Sequence, residues 1–310
     1  PGSKKDPDPP QETGRTRRRR QKENAGGPMM TTSLVRSQTP DKLRLDAALQ
    51  LPQAGLDHGD DWPADLVILV HGTAGNFYAP GILEHVSKAV VASGTPALRI
   101  NTRGHDGLVG VRGGAALENI DDCRLDLATW FSWARDNGRQ RIILVGHSMG
   151  GIKSIYAAAA AAIDPVAIVA ISPPRFCHQM FQDHPAAGAF REDYSRATEL
   201  LANGHGDELI QVRQPLPMWI RASGYVEKYG PEDQFDLVGQ LPRVTCPVLV
   251  LVGDQTIQHS PAFNSLPEDL AGLDLPDDRL GIEVIPGGDM HYTNDPDEPI
   301  RRAVNWLAHR

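Results

Sequence analysis

RIILVGHSMGG, residues 141–151, joins an apolar run to a glycine-framed serine. Residues 142–145 have the length and composition of a buried strand, and the alanine-rich residues 152–162 that follow have those of a helix. Ser148 lies between them, with Gly146 and Gly150 two residues to either side. A turn that passes from strand to helix within so few residues leaves no room for a side chain at 146 or 150, so both positions need hydrogen. In return the serine hydroxyl is held out over the strand ends, with the partial positive charge of a helix N-terminus beneath it. This strand–serine–helix turn is the arrangement called a nucleophile elbow.

Working outward from it, the chain alternates strands and helices. Residues 66–70 (LVILV) are apolar throughout, as a strand covered on both faces should be. They run into the loop HGTAGN, residues 71–76, then into a helix over 81–92 and a strand over 97–100. The loop NTRGHDG, residues 101–107, leads to an amphipathic helix expected to be about 20 residues long, with apolar positions from Leu117 to Ala134 and a stop at Gly138. After the elbow, buried strands are expected at 166–171, 247–252 and 280–285. Asp295-Pro-Asp-Glu298 reads as the start of a last helix, with Asp295 as its cap. Residues 33–56 read as two short strands, the stretch 42–46 alternating as an edge strand would, and residues 57–61 read as a turn. The pattern predicts an α/β fold with a doubly wound, mostly parallel sheet, whose ligands bind at the carboxyl ends of the strands. Ser148 falls at such an end.

One segment breaks the alternation. Residues 173–243 carry aromatics, methionines and charges but no strand-like apolar run, and read as a helical cap inserted after the sixth main strand. The domain plan is then a disordered basic tail over 1–32, a core formed by 33–172 and 244–310, and the cap between the two core pieces.

Composition narrows the function. The 310 residues are 40% hydrophobic, enough for a sizeable core. Residues 1–28 hold eight Lys and Arg against four acids, while the rest holds 23 basic and 35 acidic residues. So acidic a body is a poor nucleic-acid binder. Cys123, Cys177 and Cys246 are scattered, with no CxxC pair and no metal-ligand spacing, which fits a reducing compartment, the cytoplasm, and no metal. No apolar run approaches the roughly 20 residues of a membrane span.

A serine hydroxyl is a weak nucleophile and needs a base, which needs an orienting group. Of the eleven histidines, His291 is best placed as that base, because it follows a buried strand and the Gly287-Gly288 turn. His147, beside the serine, reads as packing, and His71 as a shaper of its loop. The oxyanion needs backbone N–H donors. Met149, immediately after the serine, is one; Thr73 is the choice for the other, with Ala74 as the alternative. A carboxylate should follow strand 247–252, where the chain offers Asp254. Asp289 stands too close in sequence to His291 to partner it.

On His71-Gly72, the loop at 101–105, Gly146–Gly150 and the late His291, the chain resembles the α/β-hydrolase fold proteins of the serine hydrolase and esterase type over roughly residues 40–310. The resemblance implies the order Ser148, Asp254, His291 for a catalytic triad. In many members the acid stands three residues after the glycine closing the seventh strand, and here that place holds Thr256, with Asp254 only one residue past Gly253. The expected reaction is hydrolysis of a small-molecule carboxylic ester, lactone or thioester through an acyl-enzyme on Ser148, with no cofactor. A side activity of the haloperoxidase kind would use the same three residues. Thr256 motivates the rival expectation, a slow or non-catalytic small-molecule binder on the same scaffold. Met180, Phe181, Tyr194, Met218, Trp219, Tyr225 and Tyr229 are candidates to line an acyl pocket, and Arg103, Arg175 and Arg221 to meet an anionic group.

Overall fold

The computed structural model describes residues 31–55, 63–109 and 113–309, with Gly2. The tail expected to be disordered lies outside them except for Gly2, Thr31 and Thr32, and so does the turn expected over 57–61.

The strands are β1 (Thr31–Gln38), β2 (Arg44–Leu51), β3 (Leu66–Val70), β4 (Ala97–Ile100) and β5 (Ile142–His147), followed by β6 (Ala167–Ile171), β7 (Leu209–Val212), β8 (Met218–Arg221), β9 (Val248–Gly253) and β10 (Leu280–Ile285). Eight of them form one sheet in the order β1-β2-β4-β3-β5-β6-β9-β10. From β4 to β10 all neighbours are parallel, while β2 runs antiparallel to both β1 and β4. The edges of the sheet are therefore β1 and the part-exposed β10, and β2 is an inner strand, not the edge its alternation suggests. Its alternation arises because only one of its faces is fully covered.

Helices cover both faces. On one lie α1 (Ile82–Ala92) and α10 (Glu298–Leu307), packed on Val67, Leu69, Ala97, Ile143 and Val145. On the other lie α2 (Cys123–Asp136) and α3 (Met149–Ala159), over Ile68, Leu98, Ile100 and Leu144. β3, β5, β6 and β9 are buried at every residue, which is why they read as unbroken apolar runs. The order reverses at β3, with β4 on one side and β5 on the other, and this is where a doubly wound sheet opens a crevice.

Helix α2 has 14 residues, shorter than expected. The apolar residues Leu117 and Ile120 precede it in turns, and the acids Glu118, Asp121 and Asp122 find partners of their own instead of forming a first helical turn. The final helix is capped at Asp297, two residues later than expected. Residues 173–243 contain four α-helices, α4 (His178–Asp183), α5 (Gly188–Ala202), α6 (Ala222–Tyr229) and α7 (Leu237–Gln240), and a short 3-10 turn over Leu241–Arg243, but also the hairpin β7–β8, which the sequence did not announce. After β9 come α8 (Asp254–His259) and α9 (Leu266–Ala271). Among the described residues no helix is long and apolar enough to cross a membrane.

Candidate active site

Ser148 caps α3 with φ 55° and ψ −125°, a left-handed backbone that a residue with a Cβ adopts only under constraint. The constraint is visible on both sides. Its N–H donates to the Ile171 carbonyl of β6 at 2.8 Å, and its own carbonyl accepts from Gly151 at 3.0 Å. A Cβ on Gly146 would stand 2.3 Å from the Gly150 carbonyl oxygen, and one on Gly150 would stand 2.0 Å from that of Val70. The two glycines are needed for the reason read from the sequence.

The loop after β3 comes down beside the serine. A Cβ on Gly72 would lie 3.0 Å from Cβ of Ser148, so the absence of a side chain lets the loop approach. The Gly75 N–H closes a turn on the Gly72 carbonyl at 3.0 Å, with Ala74 at φ 54°. Thr73 lies within this tight turn and lines a cleft of about 400 Å³ together with Ser148, His147 and His291. Met149 is the first residue of α3, and its N–H belongs to the set that a helix leaves without an internal acceptor.

His71 holds this loop. Its Nε2 accepts from the Thr102 N–H at 3.1 Å, so the proton sits on Nδ1 and is donated to the Gly72 carbonyl at 2.8 Å. Burial, reinforced by the nearby Lys153 ammonium, pushes its pKa down to about 3, so it stays neutral. The loop at 101–107 adds further ties: Asn101 accepts from Phe77 N–H at 2.9 Å, and Asp106 accepts from Asn76 at 2.7 Å and from the Tyr78 hydroxyl at 2.6 Å.

His291 lies on the turn after β10. Asp289 organises that turn, its Oδ1 accepting from the His291 N–H at 2.9 Å and the Thr293 N–H at 3.0 Å. Burial raises the Asp289 carboxyl, but the hydrogen bonds from Thr293 and His291 outweigh it and keep the group below its usual value. The ring of His291 packs on that of His147, with centroids 5.3 Å apart.

A family model described as "Alpha/beta hydrolase family" matches residues 67–303. This chain belongs to the alpha/beta hydrolase family. Among solved structures it is similar to an esterase from Pyrococcus furiosus (17% identity, 90% of this chain and 91% of that one, TM-score 0.58). It is also similar to Est1E from Butyrivibrio proteoclasticus, solved with ferulic acid bound (18%, 88% and 99%, TM-score 0.59). A third likeness is to the alpha/beta hydrolase GrgF from a Penicillium species (15%, 90% and 98%, TM-score 0.65). At these identities the likeness is one of fold. No curated protein matches the sequence.

In this alpha/beta hydrolase the expected acid stands apart. Asp254 is the first residue of α8, directly beyond the last strand residue, and its Oδ1 accepts from the Gly287 N–H at 2.8 Å. It does not line the cleft of Ser148, and among the described residues no carboxylate pairs with the His291 ring. Thr256, three residues past Gly253, has a buried hydroxyl without a hydrogen-bond partner among the described residues.

None of the seven candidate pocket residues lines the cleft. Phe181, Tyr225 and Tyr229 are buried in an aromatic cluster with Phe190, and Trp219 is 57% exposed. From residues 173–243 it is Leu216 that lines the cleft. The three candidate arginines are also engaged elsewhere. Arg103 pairs with Asp126 at 2.9 Å, Asp122 at 3.0 Å and Asp41 at 3.1 Å; Arg175 pairs with Asp236 at 3.1 Å and with Asp269; Arg221 pairs with Asp207 at 3.3 Å. The arginine in the cleft is Arg99, and its one sequence signal is that it is the charged residue of the short inner strand ALRI. Among the described residues no three His, Cys, Asp or Glu side chains group as a metal site needs.

Proposed function

We propose that the protein is a serine hydrolase that cleaves a carboxylic ester, lactone or thioester of a small molecule. The observation that carries this is Ser148, held at φ 55° between β5 and α3 and opening on the cleft that His291 and Thr73 also line. In the proposed reaction the Ser148 Oγ attacks the carbonyl carbon as His291 takes its proton. The carbonyl oxygen becomes an oxyanion received by the Thr73 and Met149 N–H groups. The alcohol leaves with the proton from His291, water attacks the acyl-serine by the same route, and the acid departs.

The imidazole is steadied in this scheme by the His147 ring and by the Asp289 turn. Asp254 is proposed to act one step back, by fixing Gly287 at the start of that turn. The insertion is proposed to serve as a cap, on the strength of Leu216 in the cleft wall.

The test is hydrolysis of 4-nitrophenyl esters from acetate to decanoate, with mass spectrometry after a fluorophosphonate probe. Turnover should vanish in Ser148→Ala and His291→Ala, and the probe should label Ser148 in the wild type. No turnover and no adduct overturns the reading. The lack of a carboxylate at His291 favours one alternative, a protein that acylates or binds and turns over slowly. It predicts a stoichiometric burst of nitrophenolate followed by little further release.

A further inference from the structure

Arg99 is the charged member of a strand whose other residues, Ala97, Leu98 and Ile100, are buried. Strand alternation sends Leu98 and Ile100 into the core under α2 and leaves Arg99 on the side of α1. There it lines the same cleft as Ser148, Thr73 and His291. Its Nη2 donates to the Ala79 carbonyl, just ahead of α1. Its Nε is buried and has no partner among the described residues. Nor does a carboxylate pair with it among those residues. Glu84, whose charge reaches it from a distance, is bound to Lys88 at 2.7 Å.

Arg103, Arg175 and Arg221 each have at least one carboxylate partner. Arg99 is half-buried and has none, and burial pushes its pKa below the ordinary value. Withdrawing a guanidinium from water without a counter-charge is unfavourable, and the fold tolerates it here, in the wall of the reaction cleft. Pro80, Ile82, Leu83 and Leu216 supply the apolar surface around it, which is enough to bind a neutral chain without any cation. An anion arriving with the substrate would complete the electrostatics and use the fork of donors that an arginine presents to a carboxylate.

We propose that the substrate carries a carboxylate remote from the scissile ester, and that Arg99 receives it while Ser148 attacks. This rests on the esterase reading above. The carboxylate is unchanged by the reaction, which consumes one water and releases an acid and an alcohol.

The test compares matched anionic and neutral esters by acid release in a pH-stat. Monomethyl adipate places the carboxylate on the acyl side and 4-acetoxybutyrate places it on the alcohol side, each set against its terminal carboxamide. Wild type should favour the carboxylate in at least one pair by roughly 10- to 100-fold in kcat/KM, the range expected of a charge-assisted bond. The ratio should fall to near one in Arg99→Gln and recover in part in Arg99→Lys. Because each ratio is taken within one protein, a general loss of activity cancels, and fluorophosphonate labelling of Ser148 reports that a variant is folded. If the variants fail to fold, inhibition of wild-type carboxamide turnover by free adipate but not by adipamide reads the same contact. Equal turnover of both members of both pairs by wild type, or a preference unchanged in Arg99→Gln, overturns this inference and leaves the esterase reading standing. No turnover of any ester and no label on Ser148 overturns both.

Discussion

The His147 imidazole donates from Nε2 to the Met290 carbonyl at 2.9 Å, fastening the turn that carries His291 to the turn that carries Ser148. The two turns lie 143 residues apart in the chain and at the ends of strands that are not neighbours in the sheet. Burial pushes the pKa of His147 down to about 4, so it is neutral and its single proton is committed to that carbonyl. Replacing it by alanine removes the clamp and leaves a carbonyl without its donor. His147→Ala should lower kcat on the order of 10- to 100-fold with a smaller change in KM, since His291 is then misplaced relative to bound substrate. It should also lose about 1–3 kcal/mol of stability. His147→Gln, whose amide can donate to the same carbonyl, should recover part of both, as read by steady-state kinetics and thermal melts.

Asp254 and Gly287 supply a second prediction. The Asp254 carboxylate accepts from a backbone N–H and touches neither His291 nor the cleft. Asp254→Asn keeps an acceptor at that position, so kcat/KM should stay within about tenfold of wild type. Removing the orienting acid of a serine triad costs roughly 10⁴-fold in kcat. A loss of that size in Asp254→Asn would show that the carboxylate reaches the imidazole during the reaction.

How much of this was legible in the sequence follows from which forces set each feature. β3 matches its apolar run, because a strand buried on both faces has to be apolar and its ends are punctuated by polar loops. β10 has the expected bounds but is not the buried strand its apolar residues suggest: it is the sheet's other edge, with Val284 40% exposed. Ser148 was legible because the steric requirement at Gly146 and Gly150 is local. Helix α2 was overextended because Leu117 and Ile120 keep helical spacing, while Glu118 is drawn off the helix by Lys153, 35 residues away. The hairpin β7–β8 was invisible because four-residue strands carry too little pattern. The contacts of His147, Arg99 and Asp254 are made with partners 20 to 143 residues distant, and no local spacing encodes them.

The Lys153–Glu118 pair yields a third prediction. Lys153 is 0% exposed on α3, one helical turn beyond the elbow, and its Nζ donates to Glu118 and, at 3.1 Å, to Thr102. Thr102 in turn holds His71, so the pair anchors the loop after β3 from behind. Glu118→Ala strands a buried ammonium and should destabilise by about 3–5 kcal/mol, whereas replacing both partners, Glu118→Leu with Lys153→Met, should cost far less. Chemical denaturation of the three variants checks the non-additivity.

The elbow glycines predict a contrast within one residue type. Gly150→Ala drives a Cβ onto the Val70 backbone, which cannot rotate away, and should destabilise by at least ~3 kcal/mol, roughly 6–12 °C in Tm. Gly239→Ala, in α7 with nothing within 4 Å of the added carbon, should be neutral or stabilise by up to about 1 kcal/mol. Parallel melts of the two variants decide it.

The two buried histidines set how the protein responds to acid. His71 and His147 have folded pKa values of about 3 and about 4, lowered by burial from the ordinary 6.5. The unfolded chain therefore binds protons on these groups at a pH where the native state does not, and stability rises with pH wherever that holds. Their contribution is complete above about pH 6.5 and is lost as pH falls from there toward 4 and then 3. Because pH 5 lies about 1.5 below the unfolded value and still above both folded ones, the loss there is roughly 2 kcal/mol per histidine, or about 4 kcal/mol for the pair. That is a large part of the 5–15 kcal/mol typical of a folded domain. Urea midpoints measured between pH 7.5 and 4.5 should fall steeply over this range. His147→Gln, which cannot titrate, should remove close to half of the slope between pH 6.5 and 5, and a slope unchanged in that variant would assign the acid sensitivity to other groups.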